Sequence, residues 1–102
     1  MDLGPDGEGV VDYPIYASKV AEAVRDHGAD FGVLICGTGI GMSMVANRFS
    51  GVRAAVCSNE FVARMSRTHN DANVLCLGAR VVGDGVALAI VDAFFEASFA
   101  GG

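Results

Sequence analysis

The chain has 102 residues, of which 52% are hydrophobic and 19% are charged, and its net charge at pH 7 is −5. This length suits one domain with a single core, and the apolar content favours a buried sheet or an interface over disorder. Charged residues interrupt every apolar run before the roughly 18 residues that a membrane-spanning helix needs. The acidic balance argues against a nucleic-acid surface, and the start of the chain lacks a secretory signal, so we expect a cytoplasmic protein without membrane or nucleic-acid partners.

The cysteines are three in number and widely spaced, at Cys36, Cys57 and Cys76. No CxxC pair is present, so the pattern indicates free thiols rather than a disulfide framework or a zinc site. Cys57 and Cys76 lie within apolar runs and are predicted to be core residues. Cys36 differs from them because a glycine-rich segment follows it.

Apolar periodicity predicts four helices and three strands in alternation. Such an alternation indicates a parallel sheet with right-handed crossover connections. Gly28 and Gly51 are predicted to end the first two helices, and residues 7–11 fit either a fourth strand or a loop. In chain order we expect a helix over 12–28, a strand over 30–36, a helix over 39–49, a strand over 53–58, a helix over 59–71 capped by Ser58 or Asn59, a strand over 72–78 and a helix over 85–100.

Parallel sheets bind ligands at the carboxyl ends of their strands. The segments 36–38, 57–59 and 78–80 follow the three predicted strands and are therefore candidates for a site. Arg80 is the arginine best placed to bind an anion, because it comes directly after the third strand. The other arginines are expected to be solvated or paired with carboxylates.

The stretch "LICGTGIGMSM", residues 34–44, turns from a strand through glycines into a helix, which exposes backbone N–H groups to an anion. A dinucleotide fingerprint would need glycine where Met42 stands, and a Walker loop would need a lysine. Two functions remain open for the loop: anion or oxyanion binding, and a tight turn. Cys36 is then either a thiolate acting as base or nucleophile, or a small buried residue. Thr38 and Ser43 are either helix caps or ligand contacts.

His69 lies in "SRTHNDANV", between a predicted helix and the third strand. We expect it at the carboxyl edge of the sheet or at a subunit boundary, either as a helix cap or as a catalytic group. His27, in "DHG", fits a helix cap.

Three blocks together, "DYPIYA", "LICGTGIGMSMVANR" and "SRTHNDANVLCLGARVVG", closely resemble the type B ribose-5-phosphate isomerases and the related galactose-6-phosphate isomerase subunits. The resemblance covers nearly the whole chain. It implies an α/β fold, a Rossmann-like three-layer sandwich with a parallel sheet. It also implies interconversion of ribose 5-phosphate and ribulose 5-phosphate through a cis-enediolate, without a metal or other cofactor.

The family resemblance also implies roles for individual residues. Cys36 would move the proton between C1 and C2, Thr38 would assist proton movement at the oxygens, and His69 would open the furanose ring. The site would lie between subunits of a homodimer or homotetramer, with the Cys36 loop from one subunit and the His69-Asn70 segment from the other. The implied substrate-binding residues are Gly37, Gly39, Ile40, Gly41, Ser43, Asn70, Arg80 and Tyr13.

Compared with the family, the sequence starts after an initial strand and helix that carry a substrate-binding Asp-His pair. It also ends before a basic tail whose arginines hold the phosphate. We therefore expect an isomerase domain with an incomplete binding frame. The alternatives are a non-catalytic sugar-phosphate-binding subunit or inactive fragment, and a thiol enzyme in which Cys36 is a covalent nucleophile.

Overall fold

The structure is a computed structural model that describes residues 13–99, with side chains from residue 17 onward. The predicted alternation of helices and strands is confirmed over this range. Within residues 13–99, none of the helices is long and apolar enough to cross a bilayer. The elements are α1 (Tyr13–Arg25), β1 (Gly32–Cys36), α2 (Ile40–Ala46), β2 (Ala54–Val56), α3 (Glu60–Thr68), β3 (Val74–Gly78) and α4 (Asp84–Glu96).

The three strands form one parallel sheet in the order β1-β3-β2. Gly32 of β1 and Ala54 of β2 both lie opposite Val74, the first residue of β3. All three strands therefore begin at the same edge, here called the amino edge, and end at the carboxyl edge. Every residue of β3 is buried, because this central strand is covered on both faces.

Helices cover the two faces of the sheet in pairs. The first pair, α1 and α2, packs with Leu34, Val74 and Cys76 in one core cluster. The second pair, α3 and α4, packs in another cluster that contains Leu75 and Leu77. Alternate residues of β3 thus belong to opposite cores, as the period of a strand requires. The three-layer sandwich that the family resemblance implied is confirmed.

The ends of the elements differ from the predicted ones by up to four residues, because local capping decides them. His27, with φ of 61°, takes the left-handed position after α1, while Gly28 donates its N–H to the Ala23 carbonyl at 2.9 Å. At the start of α3 the cap is Asn59, whose side chain accepts a hydrogen bond from Val62 N–H at 2.8 Å. Residues 7–11 lie outside the described part of the chain.

Candidate active site

The loop after β1 is fastened to the end of β3 by two backbone hydrogen bonds. Ala79 donates its N–H to the Cys36 carbonyl at 2.6 Å, and Arg80 donates to the Gly37 carbonyl at 3.0 Å. Cys36 and Arg80 therefore meet at the carboxyl edge, as the strand order in the sequence predicted.

Two glycines allow this close approach. A Cβ on Gly78 would lie only 2.7 Å from the backbone carbonyl atoms of Thr38. Gly39 has a φ of 83°, and a Cβ there would lie 3.2 Å from the Leu77 carbonyl carbon. Gly78 belongs to the candidate segment 78–80, but nothing in the local sequence pattern shows that another segment passes so near.

The Cys36 thiol is half-buried and turned into its own loop. Its Sγ accepts a hydrogen bond from Gly39 N–H at a distance of 3.0 Å. Of the two interpretations left open for Cys36, this contact with a loop amide favours a functional thiol over a simple packing residue.

Two amides of the loop have partners inside it: Gly39 N–H binds Sγ, and Ile40 N–H donates to Thr38 Oγ1 at 3.3 Å. The amides of Gly37, Thr38 and Gly41 meet no acceptor among the backbone of residues 13–99 and the side chains of residues 17–99. These three N–H groups are the donors that the loop can offer to a ligand.

The hydroxyls of the loop have local partners. Thr38 Oγ1 caps α2 through Ile40 N–H, and Ser43 Oγ donates to the Ile40 carbonyl at 2.7 Å. Ser43 is buried. Thr38 thus accepts a hydrogen bond from the first amide of α2, although the N-terminal cap residue itself is Gly39. Ser43 donates to a carbonyl within the helix and does not act as a cap. Thr38, which is exposed, can also reach a ligand.

Arg80 lies across the loop. Its Cδ and Nε are 3.7 and 3.9 Å from the position that a Cβ on Gly37 would occupy. No ion-pair partner for Arg80 occurs among the described residues. Tyr13, the first residue of α1, begins a helix that runs back toward the amino edge, so its backbone lies at the carboxyl edge; its side chain is outside the described part.

His69 and Asn70 occupy the opposite edge of the sheet. α3 runs antiparallel to the strands, so that His69, its C-terminal cap, lies at the amino edge. The length of β3 alone, at roughly 3.3 Å per residue, separates the two edges by about 13 Å. The expectation that His69 lies at the carboxyl edge is therefore wrong, because the helix reverses the chain before the third strand begins. Its place at a subunit boundary stays a prediction.

Cys57 and Cys76 are buried, as the sequence predicted. Burial raises the pKa of the Cys57 thiol, and burial among neighbouring thiols raises the pKa of Cys76 to about 12. Neither group ionises near neutral pH, which leaves Cys36 as the thiol available for chemistry among the described residues.

We expect iodoacetamide at pH 8 to alkylate Cys36 and to leave Cys57 and Cys76 intact in the folded chain. Alkylation needs a thiolate and access, and the two buried thiols lack both. Peptide mapping by mass spectrometry measures the label at each cysteine, with the urea-unfolded chain as the control in which all three react. Labelling of Cys76 as fast as Cys36 in the folded chain would contradict this prediction.

No cluster of three or more histidine, cysteine or carboxylate side chains suited to a metal ion occurs within residues 13–99. The fold and the loop define an α/β protein that presents a thiol, free amides and an arginine at the carboxyl edge of a parallel sheet. The family model described as "Ribose/Galactose Isomerase" matches residues 1–102. The chain therefore belongs to the ribose/galactose isomerase family, and it is an enzyme of the sugar-phosphate isomerase class.

Three comparisons illustrate the similarity. Ribose-5-phosphate isomerase B of Escherichia coli K12 is 52% identical over 102 residues, which are 100% of this chain and 68% of that protein. The D-erythrulose-4-phosphate isomerase of Pectobacterium atrosepticum is 45% identical over 98 residues, 96% of this chain and 64% of the relative. The solved structure of Clostridium thermocellum ribose-5-phosphate isomerase B has a TM-score of 0.98 and 56% identity, and the match covers 100% of this chain and 69% of that one.

Proposed function

We propose that this chain interconverts ribose 5-phosphate and ribulose 5-phosphate through a cis-enediolate, with Cys36 as the base. The observation that carries the proposal is the 3.0 Å hydrogen bond from Gly39 N–H to Cys36 Sγ, beside three loop amides without an acceptor among the described residues. A thiolate and nearby N–H donors are the two groups that enolisation next to a carbonyl requires.

The proton steps follow from this arrangement. The Cys36 thiolate removes the proton from C2 of the open-chain aldose, and the electrons of that C–H bond pass into the enediolate. The free amides of Gly37, Thr38 and Gly41 donate hydrogen bonds to the oxygen on which negative charge develops. The Cys36 thiol then returns the proton to C1, which gives the ketose and regenerates the thiolate. Thr38 shuttles the proton between the two oxygens.

The other substrate contacts are proposed from the same surroundings. Arg80 is a cation directly over the loop and is suited to the phosphate, since guanidinium groups bind phosphate oxygens in pairs. Ser43, Ile40 and Tyr13 shape the loop and its rim. A tetrose phosphate is also tested as substrate, because the names of the two relatives above specify a pentose phosphate and a tetrose phosphate.

The test is a direct assay of the chain with ribose 5-phosphate, following ribulose 5-phosphate, and with erythrose 4-phosphate in parallel. A second protein carries this chain in place of the matching residues of the E. coli relative, which supplies the parts of that relative outside the match. Isomerisation by either protein supports the proposal. Absence of turnover in both, with intact folding, would overturn it and favour a non-catalytic sugar-phosphate-binding subunit.

We further propose that the complete site lies between two copies of the chain. Cys36 and His69 lie at opposite edges of one sheet, so a single copy does not bring them together, whereas two copies can place one edge against the other. Large apolar side chains near the Cys36 loop also remain open to solvent, with Ile40 55% and Met44 63% exposed. Exposed apolar groups beside an active-site loop favour burial by a partner.

Mixing two inactive variants tests the shared site. We expect Cys36→Ala and His69→Asn chains, unfolded and refolded together, to recover about a quarter of the parent rate on ribose 5-phosphate. Half of the randomly paired dimers are then mixed, and each mixed dimer holds one intact site out of two. The control is the same mixture combined without refolding. Failure to recover any rate after exchange, verified by tagged copies, would place both residues of a site in one chain.

A further inference from the structure

The turn that carries His69 and Asn70 ends at Asp71, which has an unusual backbone conformation. Its φ of 49° lies in the left-handed region, which aspartate enters more readily than most residues but at some cost. Its N–H donates to the Arg67 carbonyl at 3.2 Å, and the N–H of Ala72 donates to the Ser66 carbonyl at 2.9 Å. The backbone thus folds back onto the end of α3 immediately after His69 and Asn70.

Two arginines from different elements hold Asp71 from both sides. Arg53, just before β2, donates from Nε to the Asp71 carbonyl at 2.8 Å and from Nη2 to Oδ2 at 3.3 Å. Arg67, on α3, donates from Nη1 to Asp71 Oδ1 at 2.9 Å and to the Ala72 carbonyl at 2.7 Å. We call Arg53, Arg67 and Asp71 the aspartate clamp.

Arg67 is an anchored member of this clamp. It is only 8% exposed, and its guanidinium carbon lies 4.7 Å from the centre of the Phe31 ring and 5.8 Å from that of Phe94. Stacking and burial restrict the guanidinium to one orientation. The carboxylate that it binds is fixed in turn.

His69 and Asn70 have no such support of their own. Both are exposed, and no hydrogen bond of either side chain to another described residue is present. The direction of these side chains therefore depends on the backbone of the turn, and a displacement of about 1 Å in a catalytic group can cost roughly 10²-fold in rate. We propose that Asp71, held by Arg53 and Arg67, is a positioning residue for His69; this inference rests on the proposed function.

A pair of substrates separates positioning from a general contribution to folding. Ribose 5-phosphate exists as a closed furanose that must be opened, and the family resemblance implies that His69 performs this step. Erythrose 4-phosphate cannot form that ring, because the oxygen that would close it carries the phosphate. Loss of His69 positioning should slow turnover of the pentose and spare turnover of the tetrose, whereas partial unfolding lowers both rates together.

The experiment uses Asp71→Asn, which keeps the size and the tolerance for a left-handed φ but has one acceptor oxygen for two arginines. We expect kcat/KM for ribose 5-phosphate to fall at least tenfold and that for erythrose 4-phosphate to stay within twofold, the same selectivity as His69→Asn. The matched control is Arg64→Gln, which removes the exposed 3.8 Å pair with Glu60 on the same helix and should leave both rates unchanged. Equal losses on both substrates, or no loss, would overturn the inference.

A second measurement does not require activity. Amide hydrogen exchange at His69, Asp71 and Ala72 should accelerate at least tenfold in Asp71→Asn relative to Arg64→Gln, at equal melting temperatures. Unchanged exchange would overturn the clamp even if the parent chain is active. A parent chain that turns over neither sugar, with accelerated exchange in Asp71→Asn, would contradict the proposed function and leave the clamp supported.

Discussion

Replacement of Cys36 by alanine is expected to lower kcat for the isomerisation of ribose 5-phosphate by roughly 10²- to 10⁴-fold, the range for loss of a general base. The loop amides and Arg80 remain in place, so KM should change much less than kcat. The thiol is half-buried at the end of β1 and accepts one hydrogen bond, from Gly39, so alanine leaves the fold intact. Stopped assays of ketose formation, with circular dichroism of the variant, measure the two effects separately.

The matched control is Cys57→Ala. Cys57 follows β2 as Cys36 ends β1, but its side chain belongs to the core cluster on the other face of the sheet. Its loss should reduce stability slightly and leave the rate within about twofold, because the Cys57 side chain packs in the opposite core cluster. A Cys36→Ala protein that keeps more than a tenth of the parent rate would mean that another group is the base.

Replacement of Gly78 by alanine is expected to lower the free energy of unfolding by about 3 kcal/mol or more, at the upper end of the range for overpacking. The added Cβ would meet the Thr38 backbone at 2.7 Å, and backbone atoms held by the Ala79 and Arg80 hydrogen bonds cannot move aside like a flexible side chain. Urea unfolding followed by circular dichroism measures the change. The rate of isomerisation should also fall by more than the loss of folded protein accounts for, because relief of the contact pushes the loop away from β3.

Gly85→Ala serves as the control for a glycine without such a neighbour. A Cβ at Gly85 has no other atom within 4 Å, and the residue lies in the first turn of α4. Alanine is the better helix former, so stability should stay constant or rise by up to about 1 kcal/mol. If Gly78→Ala unfolds at the same urea concentration as Gly85→Ala, then the loop does not pack against β3 as described.

Much of the fold could be predicted because its signals are local. Short apolar runs such as 74–78 are too brief for buried helices and suit strands covered on both faces, and the structure contains them. Ends of elements were less accurate, since a cap depends on one residue's backbone: His27 rather than Gly28 takes the left-handed position after α1. Asn59 and Ser58 are equally good caps by type, and only the hydrogen bond to Val62 distinguishes them.

The candidate site also has features that the sequence predicted and features that it did not. Cys36, its glycine loop and Arg80 could be placed together from the sequence, because parallel strands end at one edge and the family motif selects these positions. The distance between Cys36 and His69 could not be predicted from the sequence, because it depends on the direction in which α3 runs between two strands. Likewise Gly78 is an ordinary glycine in the sequence, and only the approach of Thr38 makes it necessary.

By itself, then, the sequence determined the order of elements and the parallel α/β sheet, because periodicity acts over a few residues. The family resemblance added the three-layer class and the function of the thiol loop. The tertiary structure decided which distant groups meet. It brought Cys36 to Arg80 through backbone bonds across β1 and β3, and it gathered Arg53 and Arg67 around Asp71 at the other edge. Such contacts arise from strand register and helix direction, which no short stretch of sequence contains.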